Sequence, residues 1–195
     1  MNFEAVTLDG ETIRLAPMTA EFIAPLTEAG SFAELWEWTA ARADSPEEME
    51  EYVSSALRDG EAGIARPFVT IEKESGAVIG STRFGNIDRS NRKVEIGWTW
   101  ITPAFQRTRV NTEAKYLMLR HAFESWNCVR VELKTDALNE KSRNAMLRIG
   151  AKFEGILRQH MVTSTGRLRD SAYYSILDSE WPGVRDHLLS LLARR

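Results

Sequence analysis

A single cysteine, Cys128, is all the thiol this chain of 195 residues carries. A disulfide within the chain is thereby excluded, and a reducing compartment is the natural setting. No apolar run approaches the ~20 residues that a membrane-crossing helix needs. The segment Met1 to Gly10 holds Glu4 and Asp9 and no long apolar stretch, so it does not read as a signal peptide. These absences predict a cytoplasmic protein with no membrane partner. Charge of one sign is also scarce. The formal net charge is −3, which gives no general basic footprint, and nucleic acid is not an expected partner. The three histidines, His121, His160 and His187, have no metal-ligand spacing, so no metal is expected. A Walker-type glycine–lysine loop is missing, which argues against a P-loop nucleotide site. No internal repeat or low-complexity linker divides the chain. Residues 1–195 read as one domain.

What is present is an ordinary globular composition, 43% hydrophobic and 27% charged, arranged as alternating strand-like and helix-like segments. Thr12 to Ala16 reads as a strand and Thr19 to Ala29 as a helix, with Phe22, Ile23 and Leu26 on one face. Ser45-Pro46-Glu47-Glu48 opens a second helix with an N-cap serine, a proline at the first position and a glutamate three after the cap. Phe68 to Glu72, Val78 to Asn86 and Lys93 to Ile101 form an antiparallel meander. A helix from about Thr112 to Trp126 follows, with Ala114, Leu117, Met118, His121 and Ala122 on its apolar face. Val129 to Thr135 alternates as a half-buried strand. A helix from Asn139 to Ile149, two strands (Lys152 to Met161, Ser171 to Leu177) and an amphipathic helix complete the chain. Arg194 and Arg195 form a solvated terminus with no assigned role. Only the connection from Ile101 to Val129 is long enough for a parallel crossover. The expected architecture is a mixed α/β, mostly antiparallel sheet of six to seven strands with helices on both faces.

The loop before the long helix carries the chemistry. It reads Phe105-Gln106-Arg107-Thr108-Arg109-Val110-Asn111-Thr112. A loop entering a helix presents backbone N–H groups that no intrahelical carbonyl takes up. The helix dipole adds partial positive charge, and such a site favours phosphate. Arg107 and Arg109 add bidentate donors. The competing reading is a plain solvated loop.

A strand, then Gln106-Arg107, three spacers, Asn111, two spacers and Ala114-Lys115, then an amphipathic helix, resembles the acetyl-CoA loop of the GNAT superfamily. The subgroup it is similar to contains the Rim-type ribosomal-protein N-terminal acetyltransferases. The likeness extends through Val94-Glu95-Ile96-Gly97-Trp98, Lys134-Thr135-Asp136, Asn139-Glu140-Lys141-Ser142, Arg148-Ile149-Gly150-Ala151 and Asp170 to Ser175. One departure stands out: Arg109 and Asn111 occupy the two loop positions where glycine is usual and lets backbone approach the pyrophosphate.

The resemblance implies an N-acetyltransferase that uses acetyl-CoA as cosubstrate, with no metal. Residues Gln106, Arg107, Thr108, Arg109, Val110, Asn111 and Thr112 would bind its phosphates. Trp100 and Ile101, at the end of a strand splayed from its parallel neighbour, would pair with the pantetheine arm, and a backbone N–H there would face the thioester oxygen. Asn139 would touch the cofactor, and Arg143 could reach a phosphate. Glu95 is the implied base. Alternation places it on the strand face opposite Val94 and Ile96, and the competing reading is a solvated or ion-paired residue. Many relatives carry a tyrosine acid where this chain has Met146, which leaves Ser142 or water as a substitute. Trp36 and Trp38 fall in the region that covers the acceptor pocket, where they stack on substrate or cap the core. Phe84, Asn86 and His160 are further acceptor-side candidates, whereas His121 and Cys128 read as packed core residues. The acceptor is a protein N-terminus or a small amine, and a homodimer through strand edges or the last helix fits. The alternatives are a non-catalytic acyl-CoA-binding module, suggested by the missing glycines and Met146, and a protein-interaction module.

Overall fold

The computed structural model describes residues 5–194; Met1 to Glu4 and Arg195 lie outside them. Two short strands, β1 (Leu8–Asp9) and β2 (Ile13–Pro17), open the fold. Helices α1 (Ile23–Gly30) and α2 (Pro46–Glu61) follow. Then come β3 (Arg66–Glu72), β4 (Val78–Asp88) and β5 (Lys93–Ile101). After the loop stand α3 (Val110–Arg120), β6 (Arg130–Asp136) and α4 (Glu140–Arg148). β7 (Lys152–Val162), β8 (Leu168–Leu177) and α5 (Trp181–Ala193) complete the chain.

The strands form one sheet in the order β1-β2-β3-β4-β5-β6-β8-β7. Every neighbouring pair is antiparallel except β5 and β6, joined by the α3 crossover. Eight strands exceed the expected six to seven because β1, two residues long, is too short to show a period.

The local chemistry accounts for the helix ends. Ser45 Oγ accepts the Glu48 N–H at 3.2 Å and Pro46 sits at the first position of α2, a cap worth ~1 kcal/mol. Asn139 Oδ1 accepts the Ser142 N–H at 3.0 Å and so starts α4. The first helix begins later than the Thr19 expected, because Ala20–Phe22 form a tighter 3₁₀ turn. The third begins two residues before Thr112. Past Arg120 it widens into a π turn, His121–Ser125.

The sheet divides the interior into two cores. On one face α3 and α5 bury Leu117, Met118, Val131, Leu133, Ile176 and Leu188. On the other, α1 and α2 bury Leu26, Met49, Val53 and Trp100. Alternation along each strand sends successive side chains into opposite cores. α1 and α2 lie against β3 and β4. That leaves the β6–β8 part of their face for polar side chains.

Candidate active site

β5 and β6 are paired only over Lys93–Glu95 and Arg130–Glu132. Beyond that they part. The cause lies in β5, whose register against β4 slips by one residue between Gly97 and Trp100. Trp98 there adopts φ 50°. An extra residue in one strand bends it and strengthens its twist, which turns the end of β5 away from β6. The ring of Trp98 lies over Gly85, where a Cβ would meet its Cζ3 at 2.3 Å.

Glu95 stands at the root of the gap and is only 2% exposed. Its Oε2 accepts the Asn86 amide at 2.8 Å and pairs with Lys134 Nζ at 3.2 Å. Its Oε1 lies against Gly97, where a Cβ would approach within 2.9 Å. One carboxylate oxygen is thus held and the other is kept clear by a glycine. Val94 and Ile96 enter the α3-side core, as the alternation predicts. The ion-paired reading of Glu95 holds: it is buried and paired with Lys134.

Around it the structure gathers residues that the sequence left unassigned. The Lys134 ammonium lies 5.7 Å from the Trp98 ring and 6.0 Å from the Tyr173 ring. Arg83 is sandwiched 5.0 Å from both the Tyr52 and Trp98 rings and pairs with Asp59 at 3.7 Å. The Tyr173 phenol is pushed up by burial, then by Glu95 and Glu132. Asp136, fully buried, pairs with Arg167 and, at 3.9 Å, with Arg169. For Lys134 and Asp136 the signal was the alternation of β6, which puts Glu132, Lys134 and Asp136 on the face opposite Val131 and Leu133; Arg83 and Tyr173 had none.

The loop into α3 keeps its donors available. The N-cap residue Arg109 makes no side-chain cap bond, and of the donors at the helix start Thr108 Oγ1 accepts the Val110 N–H, at 3.3 Å. Arg107 adopts φ 61°, and Thr108 Oγ donates to Phe105 O at 2.7 Å, folding the loop on itself. Gln106 is a strut: its Nε2 donates to Ile101 O at 2.8 Å and its Oε1 accepts from Lys141. Lys141 carries that strut to α4, whose first turn also holds Ser142 and whose cap is Asn139. Arg109 Nε and Asn111 Oδ1 are buried without hydrogen-bond partners, which fits a loop that receives a polar ligand. The Arg109 guanidinium also donates through Nη2 to Glu11 Oε2 at 2.8 Å. Val110 is buried and packs in the core, and Thr112 Oγ1 accepts from Arg148 at 2.9 Å. Arg143 is committed elsewhere, to Tyr174 Oη and Ala137 O, both at 3.1 Å.

The acceptor-side expectations divide. Asn86 reaches Glu95, and His160 bonds Ser171 Oγ at 3.1 Å beside Tyr173. Phe84 does not join them: it is fully buried between Phe68 and Trp126, on the α3 side of the sheet. Trp36 is a core residue, its indole N–H bonded to Gly30 O at 2.8 Å and its ring 5.4 Å from Trp100. Trp100 is buried with its indole N–H unpaired, and Ile101 is buried at the strand end. Trp38 lies under the Arg167 guanidinium at 5.7 Å, where the β7–β8 turn docks through Ser164 N–H to Ala40 O. His121 is half-buried against Phe84 and Trp126, and burial lowers its pKa, followed by Arg120. Met146 packs against the larger core. Cys128 is 1% exposed, and burial pushes its thiol up to about 11. Among the described residues no group of His, Cys, Asp or Glu could hold a metal ion. No helix among them is long and apolar enough to cross a membrane.

Residues 12–152 match the model of the acetyltransferase (GNAT) domain. A crystal structure of a GCN5-related N-acetyltransferase from Brucella melitensis superposes with a TM-score of 0.90 at 33% identity, covering 98% of this chain and 87% of that one. YdaF of Bacillus subtilis (strain 168), which bears the name of a ribosomal N-acetyltransferase, is 37% identical over 110 residues, 56% of this chain; the match spans 59% of that relative's length. The ribosomal-protein-serine acetyltransferase of Escherichia coli (strain K12) is 25% identical over 136 residues, 70% of this chain and 74% of that one. The matched domain takes in the parted strands, the loop and Asn139, and the chain belongs to the GNAT acetyltransferase family.

Proposed function

We propose that the protein transfers an acetyl group from acetyl-CoA to the N-terminal amine of a protein. The observation that carries this reading is the parting of β5 from β6 directly after Glu95, with the start of α3, whose N-cap residue makes no side-chain cap bond, across the loop. Acetyl-CoA, when bound, supplies an acyl group activated as a thioester. The chain's own residues do the rest. Backbone N–H groups of residues 107–112 and the α3 dipole hold phosphate. The edge of β5 beyond Glu95, which β6 leaves unpaired, offers backbone partners to an extended arm, beside the Trp98 and Ile101 carbonyls that accept from Tyr52 and Gln106. Glu95 Oε1 accepts a proton from the amine, which is mostly protonated at neutral pH, with a pKa of roughly 8. The Lys134 charge beside it favours the deprotonated amine at this position. Attack by the amine is direct: the N–C bond forms, the thioester C–S bond breaks, and the thiolate that leaves takes a proton from solvent water. A buried Cys128 thiol pushed up to about 11 is, by contrast, a poor acyl carrier.

Two observations favour a protein acceptor over a small amine. α1 and α2 make their main sheet contacts with β4 and β3, which favours room for an extended peptide over the β6–β8 part of that face, beside the half-buried Tyr173. The names of the B. subtilis and E. coli relatives refer to ribosomal substrates. The test is thiol release from acetyl-CoA with peptides carrying free or blocked N-termini, polyamines and aminoglycosides. Turnover of free peptides, reduced ~10²–10⁴-fold by Glu95→Gln, is expected. Binding of acetyl-CoA without turnover of any amine would instead favour the acyl-CoA-binding module.

A further inference from the structure

Lys115 stands beneath the same site and has no assigned role. It points from α3 into the sheet and is 6% exposed. Its Nζ donates to Thr99 Oγ1 at 2.7 Å, and Thr99 Oγ1 lies 2.7 Å from Thr82 Oγ1. Both hydroxyls lie near Gly97 O, at 3.3 and 3.4 Å. The chain of polar groups therefore runs from Lys115 to the backbone just before Trp98, the residue whose positive φ turns β5 from β6. Among the described residues no carboxylate pairs with this ammonium. A buried cation without a counter-ion is a costly thing for a fold to keep.

The neighbours do not supply one. On α3 itself Glu113 binds the backbone of Glu11 and Thr12, Arg109 pairs with Glu11, and Arg120 covers Tyr116. On β1 and β2, Asp9 and Arg14 pair with each other. On β4 and β5, Arg83 and Glu95 lie with Asp59 and Lys134 on the other face of the sheet. Beyond α3, His121 stacks near Phe84 and Trp126; on α5, Arg185 pairs with Asp186 and His187 bonds Arg148 O. Burial alone lowers Lys115 to about 7.

We propose that Lys115 is a proton-coupled positioning residue of the acyl-CoA groove: it holds the β5 bulge through Thr99, and it takes up a proton when the phosphates of acyl-CoA arrive at the start of α3. The proton comes from the buffer and rests on Nζ, and no other bond changes. An anion at the helix start favours the charged lysine, and the charged lysine tightens its bond to Thr99. By reciprocity, a proton on Lys115 tightens the binding of acyl-CoA.

The inference rests on acyl-CoA binding, and the experiment separates the two. Calorimetry of CoA binding at pH 7.5, in buffers of different ionisation enthalpy, reports the protons taken up. The wild-type protein should take up roughly half a proton or more. Lys115→Met, which keeps the length of the side chain and removes a buried charge, should take up none and bind CoA less tightly. Thr99→Val should keep the uptake and lower kcat with little change in the CoA affinity. CoA binding without uptake, or equal uptake by Lys115→Met, overturns the inference and leaves the proposed function standing. An unchanged kcat in Thr99→Val overturns the positioning role. Absence of CoA binding overturns both.

Discussion

Glu95 and Gly97 act as a unit. The carboxylate sits where it does because position 97 has no Cβ, which would come within 2.9 Å of Oε1. Gly97→Ala should push the carboxylate off its position. A fall in kcat of at least about tenfold is expected, with acetyl-CoA affinity within about twofold, read by steady-state kinetics and calorimetry. An unchanged kcat would mean that Oε1 takes no proton. Lys115 makes a second prediction, about stability. Its folded value of about 7 lies below the ordinary 10.5. Between those values the unfolded chain binds a proton that the folded one lacks, so this group's contribution to stability rises with pH across that window. Below pH 7 the full cost of burial applies. Lys115→Met should therefore be more stable than wild type at neutral pH, by up to ~4 kcal/mol, and the gain should shrink toward pH 10. Denaturant melts across that range check it.

The elements that frame the gap owe their geometry to single insertions. The bulge in β5 parts the strands, and a register shift in β4 between Gly85 and Asp88 brings Asn86 round to Glu95. Strict alternation puts Phe84 and Asn86 on one face, and that shift is why only Asn86 joins the site. The π turn at His121 has the same effect in α3: Trp126 N–H bonds His121 O, five residues back, and a turn wider than 3.6 residues leaves His121 short of the fully buried stripe. Such insertions leave no mark on hydrophobic periodicity. The Gln106 strut belongs to this scale too. Its two bonds tie the loop to β5 and α4, so Gln106→Ala should weaken acetyl-CoA binding about fivefold, at ~1 kcal/mol for a lost bond. Arg109→Ala, whose exposed pair with Glu11 is worth little, should weaken it less than about twofold. Calorimetric titration of the two variants decides between backbone and side chain as the phosphate holder.

Across the whole molecule, the β3–β5 meander, the final pair of strands and the single parallel pair were legible, because sheet formation follows burial patterns that extend over many residues; the insertion of β8 between β6 and β7 was not. β5 was read with its observed ends, and the crossover to β6 from its length alone. The loop, Asn139 and Glu95 were legible as a motif. Lys134 was signalled only by the alternation of β6, and Arg83 and Tyr173 were not legible, since they converge on it from β4 and β8 through pairings distant in sequence. β7 shows a further limit: as the edge strand it exposes Phe153, Ile156, Leu157 and Val162, so its pattern carries little information about a core. Arg143 and Arg109 were read as phosphate contacts, and the fold also gives both partners within the chain, Tyr174 and Ala137 for one and Glu11 for the other.

The most direct test of the central claim is to locate the acetyl group by mass spectrometry. A peptide with a free serine N-terminus and an internal lysine would be incubated with acetyl-CoA and the wild-type protein. Acetylation of the α-amine alone, lost in Glu95→Gln, is the outcome this account predicts. Acetylation of the lysine side chain alone, or no modified peptide while a polyamine turns over, would contradict it.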